Sequence, residues 1–145
     1  MVAYSFKRFF VPKIDAGLKN HTIRADRKRH ARPGELVQMQ HGPRFRPVRF
    51  GESPCLFANP IRLNFTDSAP GVFVEHIGRI NDALWARGQE WNALGAGEYR
   101  NRFAQSDGFD DWEAMARFWW DEHRAKTFEG VIIGWVPLPD VRAAA

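Results

Sequence analysis

Residues 16–40 read AGLKNHTIRADRKRHARPGELVQMQ, and this stretch decides how the rest of the chain is read. HTIRA is strand-like, with β-branched Thr22 and Ile23 at its centre. Successive side chains alternate faces on a strand, so Thr22 and Arg24 project the same way. Lys19 stands three residues before Thr22, just after a turn marked by Gly17. Such a turn folds a long lysine side chain back over the threonine hydroxyl. A basic run follows, with Arg27, Lys28, Arg29 and Arg32. Pro33 and Gly34 then form a turn into a second strand, from about Glu35 to Gln40.

Working outward, YSFKRFF alternates apolar and polar residues and reads as a strand. VPKIDAG fits a short helical turn, with Pro12 in its first turn and Gly17 at its C-terminal end. Residues 42–54, GPRFRPVRFGESP, read as an extended, inserted loop rich in Gly, Pro and Arg. CLFANPIRLNFTDS reads as a strand pair interrupted near Asn59 and Pro60. VFVEHI, residues 72–77, is a strand, and INDALWARGQEWNAL, 80–94, suggests a helix broken at Gly88. In DDWEAMARFWWDEH, 110–123, Trp112, Met115, Ala116, Trp119 and Trp120 fall near one stripe of a helix. Asp110 or Asp111 is its N-cap, and Glu113 reinforces the first turn. TFEGVIIGWVPL, 127–138, is a final buried strand, and residues 140–145 read as a frayed tail. The sum is one α+β domain over residues 1–145, a small barrel or strongly curved sheet with two or three flanking helices.

The 145 residues hold a single cysteine, Cys55, which excludes an internal disulfide framework and suggests a reducing compartment. No apolar run approaches the roughly 20 residues of a membrane span. MVAYSFKRFF lacks the apolar segment and small-residue cleavage site of a secretory signal. A cytoplasmic location without membrane contact is therefore expected, and monomer or dimer stays open. Net charge is +4 overall, but it is unevenly placed. Residues 1–50 carry 12 Lys/Arg against Asp15, Asp26 and Glu35, a net of +9; the remainder carries 9 against 14, a net of −5. A basic half suits an anionic partner such as RNA or a nucleotide phosphate, or simply a solvated face.

The residue types around Lys19 have chemical uses. A threonine hydroxyl is a weak nucleophile until a base removes its proton. A neighbouring lysine is such a base if burial or nearby positive charge lowers its pKa. Arg24 suits bidentate binding of a carbonyl oxygen, phosphate or carboxylate. By spacing alone, K-x-x-T-x-R also fits a solvated basic strand end.

The segment resembles the signature of the ASCH domain family, whose fold is similar to the PUA RNA-binding barrel. Its members carry G-x-K-x-x-T-x-R, a basic stretch and a PG-[DE] turn; here these are Gly17, Lys19, Thr22, Arg24, Pro33, Gly34 and Glu35. A second piece, AQSDGFDDWEAM at 104–115, resembles the family's A-x-x-[DE]-G-F segment before an amphipathic helix. One branch comprises small amidohydrolases that cleave N4-acylated cytidines. The resemblance implies Lys19 as base, Thr22 as nucleophile and a carboxylate falling on Asp107, where the family has glutamate; Glu98 or Glu75 are the alternative carboxylates. Arg24 and Glu75 would contact the substrate, a small modified nucleoside or RNA; Phe6, Phe9 and Phe10, near the motif, suit either stacking on its pyrimidine or packing in the core. Either Lys19 deprotonates Thr22 and an acyl-enzyme forms, or water attacks directly while Thr22 positions the substrate. A non-catalytic RNA-binding module and a ribonuclease of the same fold are the other readings. In both, Arg27, Lys28, Arg29 and Arg32 contact phosphates, and Arg44, Arg46 and Arg49 extend that surface.

None of His21, His30, His41, His76 and His123 pairs at a metal-ligand spacing with Cys or Glu, so neither metal nor cofactor is expected. His21 should face away from Thr22 and serve the core or the surface. No phosphate-binding glycine loop or serine elbow is present. The tryptophans are core residues by type, although either Trp119 or Trp120 suits the border of a base pocket.

Overall fold

The computed structural model describes residues 1–74 and 96–145. In chain order these form β1 (Val2–Ser5), a 3₁₀ turn (Arg8–Phe10), α1 (Val11–Asp15), β2 (His21–Arg24), β3 (Leu36–His41), β4 (Val48–Asn64) and β5 (Gly71–Val74). Then come α2 (Ala96–Ser106), α3 (Trp112–His123), β6 (Thr127–Trp135) and α4 (Leu138–Ala144). The expected α+β class holds. The six strands form one sheet in the order β1-β3-β4-β6-β2, with β5 on β4. Only the β1–β3 pair is parallel among the described strands. Among the described residues no ladder joins the end strands β1 and β2, so the sheet they form is not a closed barrel. It nevertheless curls until one side chain spans the gap: Arg24 Nη2 on β2 donates to the carbonyl of Ser5 on β1, at 2.6 Å.

β4 makes that curl possible. Its first residues pair with β3 and its later ones with β6 and β5, so one strand serves two parts of the sheet. Register shifts at Met39/Gln40 and Cys55/Phe57 mark the bulges that let it bend. From Ser53 to Leu63 the odd-numbered residues are buried and the even ones less so, the period-2 pattern of a strand with one face on the core. Two sequence expectations are corrected here. Residues 48–54 are not loop but the start of β4, and no break occurs at Asn59 and Pro60. Pro60 pairs with Val131 on β6, whereas the β5 ladder on β4's other side runs only over Ile61–Asn64. A residue without an N–H is tolerated where one side of the strand needs no donor.

The other differences are at element ends. The expected strand over YSFKRFF stops at Ser5, and Arg8–Phe10 coil into the 3₁₀ turn. The tail is helical over Leu138–Ala144, with Pro137 at its N-cap and Pro139 in its first turn. α2 was not anticipated. α3 matches the expected helix and is capped as expected, Asp111 accepting from the Ala114 N–H at 2.8 Å. The later part of VFVEHI, the helix proposed over 80–94 and Glu75 lie outside the described residues.

The core lies between the curled sheet and the helices. It is built from Tyr4, Ile14, Met39, Phe57, Leu63, Phe103, Met115, Ile132 and Trp135, each at most 1% exposed. Phe57 lies opposite Gly134 on β6, where a Cβ would strike the Phe57 ring. No helix among the described residues is long and apolar enough to cross a membrane.

Candidate active site

Two turns place the reactive groups. Gly17 has φ +76°, which ends α1 and turns the chain back towards the sheet. The N–H groups of Leu18 and Lys19 both donate to the Lys13 carbonyl, at 2.9 and 3.1 Å. That connection delivers Lys19 inward, and its side chain is only 3% exposed. The second turn ends α2, where Asp107 N–H bonds back to the carbonyls of Phe103 and Ala104 and Gly108 adopts φ +98°. A Cβ on Gly108 would lie 2.7 Å from the Phe10 ring and 3.0 Å from Lys19 Cδ. The glycine of the S-D-G-F segment is thus required twice, for its backbone angle and for room.

Lys19 and Asp107 meet. Lys19 Nζ donates to Asp107 Oδ1 at 2.8 Å and to the Asp107 carbonyl at 2.6 Å, across 88 residues of sequence. Both residues are almost fully buried, at 2% and 4% exposure. The ammonium also sits 4.7 Å from the centroid of the Phe10 ring. Burial lowers the Lys19 pKa below the usual lysine value; Asp107 opposes the fall, and Arg24 and Lys13 add to it. For Asp107 burial acts upward, but Lys19 and His21 outweigh it and its carboxyl titrates below the usual range. An amine able to shed its proton beside an ionised carboxylate is a competent acid–base pair.

Thr22 is held differently from what the resemblance implies. Its hydroxyl accepts from Arg24 Nε at 3.0 Å, and no hydrogen bond joins it to Lys19 among the described residues. Arg24 is pinned at both ends, to Thr22 and to Ser5, which aims its guanidinium along the gap between the end strands.

Lys19, Asp107, Thr22 and Arg24 all line one cleft of about 290 Å³. Phe10, Phe109, Phe118, Trp119 and Phe128 supply its aromatic walls, while Lys7, Glu122 and His123 stand at its edge. Trp119 is buried, and its Nε1–H has no hydrogen-bond partner among the described residues. Phe9 is half exposed and packs on Phe10, 4.0 Å between ring centroids, rather than lining the cleft. Of the alternative carboxylates, Glu98 is exposed in the first turn of α2 and Glu75 lies outside the described residues.

Arg27, Lys28, Arg29 and Arg32 sit exposed on the β2–β3 connection. Arg29 is paired with Glu35, and Arg27 stands over the Tyr4 ring. Arg44 and Arg46 flank Phe45, 92% exposed, on the β3–β4 hairpin. Among the described residues no group of three or more His, Cys, Asp or Glu is placed to hold a metal ion. Burial pushes the Cys55 thiol up to about 11, so it is no nucleophile near neutral pH.

Sequence reasoning missed Phe109, Phe118 and Phe128 as cleft walls, Ser5 as the Arg24 partner, and His21. The His21 ring is fully buried, with Nε2 3.3 Å from Asp107 Oδ1. No local spacing signals such contacts, because each joins segments far apart in the chain. No family model matches this chain, and no curated protein or solved structure shows significant similarity to it.

Proposed function

We propose that the chain is an amidohydrolase that removes the acyl group from N4-acylated cytidine or cytosine derivatives. The carrying observation is the buried Lys19–Asp107 pair in the wall of an aromatic cleft that also presents Thr22 and Arg24. Asp107 ionised beside a lysine of lowered pKa gives a base and an acid at one point. The aromatic walls suit a flat pyrimidine ring. The resemblance of Gly17–Arg24 and of the S-D-G-F segment to the ASCH domain family, with its PUA-like barrel, supports the same reading.

The geometry favours direct attack by water. Water's oxygen attacks the acyl carbon, and neutral Lys19 takes its proton. The carbonyl oxygen becomes an oxyanion facing the Arg24–Thr22 pair. Collapse breaks the C–N4 bond, the electron pair goes to N4, and the Lys19 ammonium protonates it. The products are the free amino pyrimidine and the carboxylic acid. Thr22 orients the carbonyl here, since its hydroxyl is engaged by Arg24 rather than by the lysine.

Purified protein should convert N4-acetylcytidine to cytidine and acetate, followed by the ultraviolet absorbance change and by chromatography. No conversion would refute the hydrolase reading. Thr22→Ala should retain measurable turnover; its complete loss, together with an acyl group trapped on Thr22 of the parent protein, would favour a nucleophilic Thr22.

A second reading, an RNA-binding module or ribonuclease, is favoured by the exposed cations 27–29 and 32 and by Phe45 between two arginines. Exposed arginines and an aromatic face suit phosphates and an unstacked base. Labelled RNA retained in low salt and released when Arg27, Lys28 and Arg29 become alanine would support that module; cleavage of the RNA would point to the ribonuclease.

A further inference from the structure

We propose that His21 is a positioning residue of this site: its Nε2 stands beside Asp107 and, carrying the proton, shares the carboxylate so that Lys19 remains a usable base. The inference rests on the amidohydrolase reading for its meaning in catalysis, though the placement of His21 does not.

Three observations converge. The imidazole is fully buried on β2, with Nε2 3.3 Å from Asp107 Oδ1, the same oxygen that Lys19 Nζ reaches at 2.8 Å. The ring lies against Phe103, 5.3 Å between centroids and 22° between planes. Phe103 belongs to the last turn of α2, and its carbonyl accepts the Asp107 N–H at 3.1 Å. One helix end therefore supplies both the surface that orients the imidazole and the carboxylate that it faces.

The chemistry follows from charge. A carboxylate given wholly to one ammonium holds that ammonium protonated, and a protonated lysine accepts no proton from water. A second N–H on the same oxygen divides the carboxylate's attraction and leaves the amine easier to deprotonate. Other charged groups act on Lys19 as well: Arg24 from β2 and Lys13 from α1 disfavour the ammonium. Lys7, Glu122 and His123 face the same cleft. Unlike these, His21 reaches the Asp107 carboxylate itself, from the buried side.

His21→Phe keeps a ring on Phe103 and removes the N–H, whereas His21→Gln keeps a donor. The pH dependence of kcat/KM on N4-acetylcytidine reads the difference. In His21→Phe the acidic limb should move up by about one pH unit, a tenfold loss near neutrality, with the plateau almost unchanged. His21→Gln should keep the limb close to that of the parent. A uniform loss at every pH with the limb unmoved in His21→Phe would overturn the proposal and leave His21 a packing residue. A readout free of activity separates this from failure of the hydrolase reading. In the parent protein, long-range proton–nitrogen NMR should show Nε2 carrying the proton. Titration of the Lys19 side-chain resonance should give a higher pKa in His21→Phe than in the parent. A bare Nε2 in the parent, or an unmoved Lys19 pKa, would contradict the proposal whatever the substrate.

Discussion

A lysine ammonium taken from water into a site 2% exposed needs a compensating partner, and Asp107 is that partner. Removing one member of such a pair is costly because the other charge stays buried. Asp107→Asn should therefore lower unfolding stability by about 3–5 kcal/mol, read by chemical denaturation. The pH dependence carries a defined sign. Asp107 titrates lower folded than unfolded, so its contribution is present above the unfolded carboxylate value of about 4 and is lost as pH falls through its lower folded value. Lys19 is also lowered, so between its folded value and the ordinary lysine value the unfolded chain holds more protons and stability rises with pH. Denaturation midpoints should thus drop in acid in the parent and drop less in Asp107→Asn. At this scale the motif residues were legible because a turn glycine and strand alternation are local. The hydroxyl's true partner was not: Arg24, two residues along on the same face, competes with Lys19 for Thr22 and takes it.

The turn between α2 and α3 does the most with the fewest residues. Gly108 combines a left-handed backbone angle with contacts to Phe10 and Lys19 that leave no space for a methyl group. Gly108→Ala should cost about 1–3 kcal/mol, from backbone strain and overpacking together, and should displace Lys19. Turnover should fall with stability; an active variant of parental stability would mean the turn is looser than described. Short elements with strong end signals were readable in the sequence, as α3 was from Asp111 and its apolar stripe. β4 was not. Its Arg- and Pro-rich start and Pro60 are loop signals, overridden here by pairing with β3 on one stretch and β6 on the next. α2 carried no stripe strong enough to announce itself, and its value lies in the Asp107 turn that it ends.

Across the whole molecule, the gap between the end strands and the cleft beside it are one feature. Arg24 spans the gap with two donors in a fixed fork, one on Thr22 and one on Ser5. Lysine keeps the charge but not the fork, so Arg24→Lys should lose about 1–3 kcal/mol of stability and at least tenfold in kcat/KM. An α+β sheet with strong curvature follows from strand lengths and turns, and was legible. Which walls close the cleft depends on α3 packing Phe118 against Phe9 and Phe10 of the 3₁₀ turn and Trp119 against Phe128 of β6, long-range packing that no local pattern encodes. The most direct test compares kcat and KM of the parent protein and Lys19→Met on N4-acetylcytidine. Loss of about 10²–10⁴-fold in kcat with KM within a few-fold is expected if Lys19 moves the proton. A Lys19→Met protein that folds and turns over at the parental rate would contradict the account.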